Sequence, residues 1–174
     1  MGEKPQMATL FSAEQIQKRI REIGATITRD YQGQEVVLVG VLKGSFIFLA
    51  DLARAIDLPI RIEFIGVASY VGTKSTGHVR ITTDLTADII NRHVLLIEDI
   101  VDSGTTIDYL INTLKVRNPK SLKVCTFLSK PTAHQMKTRL DYVGFEISRE
   151  FVVGYGLDLD GAYRGLPEIK QVVS

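Results

Sequence analysis

The chain reads as an α/β protein with a mainly parallel, twisted sheet flanked by helices. Three observations predict this. Strand-like runs alternate with helical stretches along most of the sequence, the pattern of βαβ units. Runs such as "EVVLVGVL" are aliphatic without polar alternation, as a strand covered on both faces requires. Carboxylates also stand at the carboxyl end of another such run, where open α/β sheets bind ligands. The 174 residues, 45% hydrophobic and 24% charged, suffice for one buried core, and no repeat, linker or low-complexity tract divides them. Residues 1–174 are therefore read as a single domain.

Each element has its own signal. Ser12 followed by Gln15 forms a capping box, and Ile16, Ile20, Ile23 and Ile27 place an apolar stripe on a helix running to about Tyr31. After the Gln32-Gly33-Gln34 turn comes the strand "EVVLVGVL", then a helix from near Gly44 carrying "FIFLADLARAI". An extended run, "PIRIEFIGVASY", leads into the Gly/Ser/Thr-rich "VGTKSTG", and "HVRITTDL" resumes strand-like alternation. The strand "HVLLIEDI" follows, then a helix over about 105–117 stopped by Asn118-Pro119, the strand "LKVCTFL", a short helix after Pro131 and the strand "YVGFEI".

Composition narrows the partners. A formal net charge of +1 gives no basic field for nucleic acid or an anionic membrane, so phosphate recognition must be local. The single Cys125 lies in an apolar run and reads as a buried structural thiol. No apolar stretch approaches the ~20 residues that cross a bilayer. The opening "MGEKPQM" lacks the core of a secretory signal and has Gln6 where myristoylation requires Ser or Thr. A cytoplasmic protein is expected.

The segment "VLLIEDIVDSGTTI", from Val94 to Ile107, carries the chemistry. A buried strand runs into Glu98, Asp99 and Asp102 and then into the turn Ser103-Gly104-Thr105-Thr106. Two common phosphate motifs are absent: "GVLKGS" has the wrong spacing for a P-loop, and Gly154-x-Gly156 lacks the third glycine of a dinucleotide fingerprint. The turn nonetheless has the parts of an anion site, with Gly104 for close approach, three hydroxyls as donors, and a helix start behind it. A Ser103 or Asp102 that merely caps the helix would explain the same turn. Acids beside a phosphate cradle suit a ligand that also presents hydroxyls or brings a hard cation such as Mg²⁺. A phosphorylated sugar meets both demands.

This segment resembles the phosphoribosyl pyrophosphate signature of the type I phosphoribosyltransferases. Further segments resemble the hypoxanthine-guanine enzymes of that family: "LKGS" their pyrophosphate loop, "SYVGTKSTG" their lid, "FLSKPTA" the segment with a purine-contacting lysine, and "FVVGYGLDLDGAYRGLP" their base-stacking and metal segment. Thr105 and His134 stand where mammalian members carry Lys and Arg, which points to the bacterial branch. The resemblance implies the family fold, with a small hood formed by the N- and C-terminal segments. It implies purine salvage, with transfer of a phosphoribosyl group to hypoxanthine or guanine, Mg²⁺ as cofactor, and a homodimer or homotetramer.

It also implies roles. Glu98 and Asp99 face the ribose hydroxyls and a metal, and Asp102, Ser103, Gly104, Thr105 and Thr106 hold the sugar phosphate. Asp102 acts as general base for the purine. Lys43, Gly44 and Arg164 meet pyrophosphate, the peptide before Lys43 often being cis in the family. Asp158 ligates a second magnesium, Ser69 and Tyr70 belong to the lid, Lys130 donates to the 6-oxo group, and Phe151 stacks on the ring with Val152 at its edge.

Each residue has a plainer alternative. Lys43 and Lys130 would pass for solvated lysines, Phe151 for a core aromatic, Asp158 for a turn former, and Arg164 and Tyr70 for surface residues. The lid stretch would serve as an ordinary hairpin connection. His78, His93 and His134 show no ligand spacing and read as structural or surface residues. Two rival functions remain open at this stage: a nucleotide-sensing regulator on the same fold, and a structural domain without a ligand.

Overall fold

A computed structural model describes residues 5–70 and 78–173. The larger of its two sheets follows from the unbroken apolar runs. It contains β2 (Val36–Leu42), β3 (Ile60–Tyr70), β4 (His78–Thr83), β5 (His93–Val101), β6 (Ser121–Ser129) and β7 (Tyr142–Glu146) in the order β4-β3-β2-β5-β6-β7. All neighbours pair in parallel except β4, which runs antiparallel to β3 at one edge.

The apolar strands are buried on both faces. On β5, Leu95 and Ile97 point into one core cluster while Val94 and Leu96 point into the other. The first cluster lies under α1 (Ala13–Asp30) and α2 (Phe46–Ala55), with Ile16, Ile20, Ile27, Phe48 and Leu52 buried in it. The second lies under α3 (Thr105–Lys115), which contributes Ile107, Leu110, Ile111 and Leu114. Two helix-backed faces leave no polar side on β5, which is why its sequence does not alternate.

The capping box forms as expected. Gln15 N–H donates to Ser12 Oγ at 3.2 Å and Ser12 N–H donates to Gln15 Oε1 at 2.8 Å, satisfying two donors at the start of α1. The short helix after Pro131 is a single 3₁₀ turn, Pro131–Ala133.

The terminal segments build the second sheet. In it β1 (Gln6–Phe11) and β8 (Val152–Val153) pair antiparallel to β9 (Ile169–Val173) on either side. This is the expected hood, although its strands carry no local signal: β8 is two residues long and exists only because β9 pairs with it. The helix expected over 105–117 ends at Lys115. Beyond it, Asn118 adopts φ 51° and its carbonyl accepts from Asn91 N–H at 3.0 Å, a contact that ties the turn before β6 to the turn before β5.

Among the described residues, no helix is long and apolar enough to cross a membrane. Cys125 is fully buried on β6, and burial pushes its thiol far above the usual range, as expected of a structural rather than reactive cysteine.

Candidate active site

The carboxyl ends of β2, β5 and β6 meet at one edge of the sheet, and each delivers a different chemistry there. From β5 come the acids. Glu98 is 6% exposed, and burial, followed by the adjacent Asp99 carboxylate, pushes its pKa well above the ordinary value. Burial also raises Asp99, against the opposing effects of hydrogen bonds and of the Arg164 charge. Asp99 N–H donates to Glu98 Oε1 at 3.1 Å and Ile100 N–H donates to Asp99 Oδ1 at 2.7 Å. Two carboxylates held together in low dielectric favour a dication or a set of donor hydroxyls beside them.

The turn after β5 is set by Gly104 itself. Gly104 is the N-cap of α3 with φ 86°, so the N-cap residue itself brings no side-chain acceptor. Ser103 Oγ accepts from Thr105 N–H at 3.4 Å, a long contact that engages only the first of the free helical donors, and the rest of the helix start faces the turn. Ser103 Oγ lies 3.1 Å from Thr105 Oγ1.

From β2 comes the Lys43-Gly44 loop. The Leu42-Lys43 peptide is cis. Ser45, fully buried, donates from Oγ to Val41 O at 2.7 Å and so pins the loop to its own strand. Gly44 packs face to face with Asp99, since a Cβ at this position would overlap Asp99 Oδ2. The loop backbone and the acid pair are thus one packed unit.

The segment after β8 closes the other side. Arg164 Nη2 lies 2.7 Å from Asp158 Oδ1, and its Nη1 donates to Gly156 O at 2.6 Å. Gly161 N–H donates to Asp158 Oδ2 at 2.8 Å. Asp158 does form a turn, yet its carboxylate also lines the site.

These pieces enclose two adjoining cavities. One, of about 310 Å³, is lined by Lys43, Gly44, Glu98, the 102–104 turn, Thr106 and Arg164. The other, of about 280 Å³, is lined by Lys130, Phe151, Val152 and Leu157. Asp99, Asp102 and Asp158 border both. The first is polar and basic at one end and acidic in the middle; the second combines an aromatic face, aliphatic walls and one ammonium. Such a pair suits a ligand with a multiply phosphorylated sugar and a flat heterocycle.

Of the residues singled out in the sequence, Thr105 is the one on described side chains that lies off both cavity walls; it stands exposed at the rim. The backbones of Ser69 and Tyr70 end β3, and the lid stretch beyond them, residues 71–77, lies outside the described residues. Phe151 is half-exposed beside Lys130 and is not a core aromatic. His93 bonds Ser121 and His134 bonds Ser129, both away from the cavities. Sequence reading missed Leu157, which walls the second cavity; its position between Gly156 and Asp158 was the available signal.

The donor set fits magnesium. Among the described residues, no three acidic, His or Cys side chains converge into a cage. Magnesium characteristically takes one or two carboxylates and completes its shell with water and phosphate oxygens, which the Glu98–Asp99 pair could offer at one position and Asp158, at the shared border, at a second.

Comparison with known proteins agrees with the geometry. Residues 7–160 match the phosphoribosyl transferase domain family. The hypoxanthine-guanine phosphoribosyltransferase of Mycobacterium bovis is 50% identical over 169 residues, covering 93% of this chain and 84% of the relative. A crystal structure of a hypoxanthine-guanine phosphoribosyltransferase from Bacillus anthracis superposes with a TM-score of 0.93 at 43% identity, covering 98% of this chain and all of that one. The hypoxanthine phosphoribosyltransferase of Trypanosoma cruzi, solved in complex with the product IMP, gives 0.90 at 41% identity over 99% of this chain and 97% of that one.

Proposed function

The chain belongs to the phosphoribosyltransferases, in the bacterial branch of the hypoxanthine-guanine enzymes, and we propose that its two cavities divide that reaction between them. The enzyme acts in purine salvage. It transfers the phosphoribosyl group of phosphoribosyl pyrophosphate to hypoxanthine, and to guanine, giving IMP or GMP and pyrophosphate. The observation that carries the division is the shared border: Asp99, Asp102 and Asp158 line both cavities, so an anomeric carbon held between them faces pyrophosphate on one side and base on the other.

In the first cavity the 102–106 turn takes the sugar phosphate, Glu98 and Asp99 take the ribose hydroxyls, and Lys43, the Gly44 backbone and Arg164 take pyrophosphate. Arg164 suits this role because its planar fork can exchange the Asp158 carboxylate for phosphate oxygens. In the second cavity Lys130 donates to the 6-oxo group, Phe151 stacks on the ring and the Val152 backbone meets its edge. The bond from the anomeric carbon to pyrophosphate breaks, its electron pair leaving with pyrophosphate, as a ring nitrogen of the purine forms the new bond. The proton on the purine imidazole goes to Asp102. Magnesium would be held by Glu98 and Asp99, and a second ion by Asp158, and would supply positive charge against the departing pyrophosphate. Residues 69–77 are assigned to a lid that excludes water from an oxocarbenium-like centre.

The assembly is a homodimer or homotetramer working in the cytoplasm, with neither nucleic acid nor membrane as partner. Phe46, Ile62 and Phe64, large apolar side chains left partly exposed, supply a surface for such contacts. Light scattering measures the assembly directly. The function itself is tested by offering hypoxanthine, guanine, xanthine and adenine with magnesium and phosphoribosyl pyrophosphate. IMP and pyrophosphate in equal amounts are expected from hypoxanthine, and none in excess chelator. No pyrophosphate release with either hypoxanthine or guanine would overturn the assignment.

A further inference from the structure

The segment that follows the purine lysine folds back over the phosphate turn and is fastened there at several points. Lys130 N–H donates to Val101 O at 2.9 Å, at the end of β5. Five residues on, Gln135 N–H donates to Ser103 O at 2.9 Å, inside the turn. Met136 then lies directly against Gly104: a Cβ on that glycine would overlap the methionine Cβ, Cγ and Sδ. Finally Asp108, in the first turn of α3, receives the end of the segment. Its Oδ2 accepts from Lys137 N–H at 2.9 Å, and its Oδ1 accepts from Thr138 N–H at 3.0 Å and from the Thr138 hydroxyl.

Asp108 touches neither cavity. Its three accepted hydrogen bonds do, however, close a ring. The chain leaves the turn through α3, returns from β6 through residues 130–138, and is tied to α3 at Asp108 one helical turn after Gly104. Met136 is held on Gly104 between the Ser103 tie and the Asp108 tie. Gly104 at φ 86° is the most freely deformable residue of the turn, so the ring clamps the point that most needs clamping.

We propose that Asp108 is a positioning residue for phosphate recognition, holding residues 135–138 as a strap that fixes the 102–106 turn in its anion-binding shape. The inference rests on the functional reading above. A phosphate cradle built from backbone N–H groups and short hydroxyls depends on sub-ångström placement, and misplacement of about 1 Å costs on the order of 10²-fold in such sites. Loss of the strap therefore weakens ligands in proportion to their use of the turn. A ligand with the 5′-phosphate suffers, and one without it does not.

The test compares IMP with inosine, its phosphate-free counterpart, by calorimetric titration of the parent and Asp108→Ala, with melting temperatures recorded for both. The variant is expected to bind IMP about 10- to 100-fold more weakly, to bind inosine within about twofold of the parent, and to raise KM for phosphoribosyl pyrophosphate more than it lowers kcat. A merely structural residue would weaken both ligands together or neither. Should Asp108→Ala not fold, Asp108→Asn replaces it: one carboxylate oxygen becomes an amide that cannot accept, and the same split at smaller amplitude is expected. Equal IMP and inosine losses, or no loss, in the folded variant would overturn the strap. A parent protein that does not prefer IMP to inosine would instead overturn the functional reading on which it stands.

Discussion

Lys130 Nζ stands 3.6 Å from Asp102 Oδ2 across the border between the two cavities. The lysine side chain is nearly covered while the aspartate is largely exposed, so the pair is weak as a stabilising contact and is available to a ligand. In the proposed assignment, a purine entering beside it would meet a donor for its carbonyl and an acceptor for its imidazole proton at once.

Asp102→Asn is expected to keep the turn's geometry, since the amide is nearly isosteric, and to remove the proton acceptor. General-base contributions run to ~10²–10⁴-fold. A fall in kcat of that size, with a smaller change in affinity for phosphoribosyl pyrophosphate, is the expected outcome of steady-state assays. A kcat within about twofold of the parent would remove Asp102 from this role.

In the proposed assignment base choice rests on Lys130, whose ammonium has donors only. It matches a 6-oxo group and opposes the 6-amino group of adenine. Sites built on a specific hydrogen bond reject analogues lacking it by ~10⁴–10⁵-fold, and part of that is recovered if water reaches the amine. The expected kcat/KM for adenine is thus lower than for hypoxanthine by at least ~10³. Lys130→Gln, which can accept as well as donate, should lower hypoxanthine turnover and narrow the gap. Comparable turnover of the two bases by the parent would contradict the assignment.

Gly44→Ala tests the packed unit of loop and acids. The new methyl overlaps Asp99 Oδ2, so either the carboxylate or the loop must move. Displacement near 1 Å predicts a loss in kcat/KM on the order of 10²-fold. Activity equal to the parent would show that the contact is not needed for catalysis.

Asp158→Ala leaves Arg164 bonded to Gly156 O but frees its other nitrogen. If Asp158 holds a magnesium as proposed, its loss should raise the magnesium concentration for half-maximal rate by about tenfold or more, the scale on which even outer partners tune metal affinity. A titration of rate against magnesium reads it. An unchanged midpoint would argue that Asp158 is only a turn former.

His93 links pH to stability. Burial, then repulsion from Lys120 and Lys123, lowers its pKa, while Nδ1 bonds Ser121 Oγ at 2.7 Å and Nε2 is buried with no partner among the described residues. The folded state thus binds the proton less readily than the unfolded chain, whose histidine titrates near ~6.5. Stability is complete above that value and falls as pH drops from there to the folded pKa. Melting temperature should decline between pH 7.5 and 5, and His93→Gln should flatten that decline. An equal slope in the variant would assign the acid sensitivity to other groups.

Much of this was legible in the residues. The unbroken β2 and β5 runs could be nothing but covered strands, because each alternate side chain needed its own apolar partner. The capping box fixed the start of α1 by local hydrogen bonds. The acids at the end of β5 and the Gly104 turn lie within eleven residues of Val94, so their grouping needed no tertiary information, and the resemblance of that stretch brought the rest. Tertiary structure alone decided the long-range terms. The two-residue β8 has no strand signal because its partner, β9, lies some seventeen residues on. Sequence could not tell that Gly104, and not Ser103, is the N-cap, with the Ser103 hydroxyl reaching only the Thr105 N–H, since that depends on the φ of Gly104. Nor could it find Asp108, whose partners at 137 and 138 are thirty positions away: an aspartate in a first helical turn reads as a dipole partner until the fold brings another backbone to it.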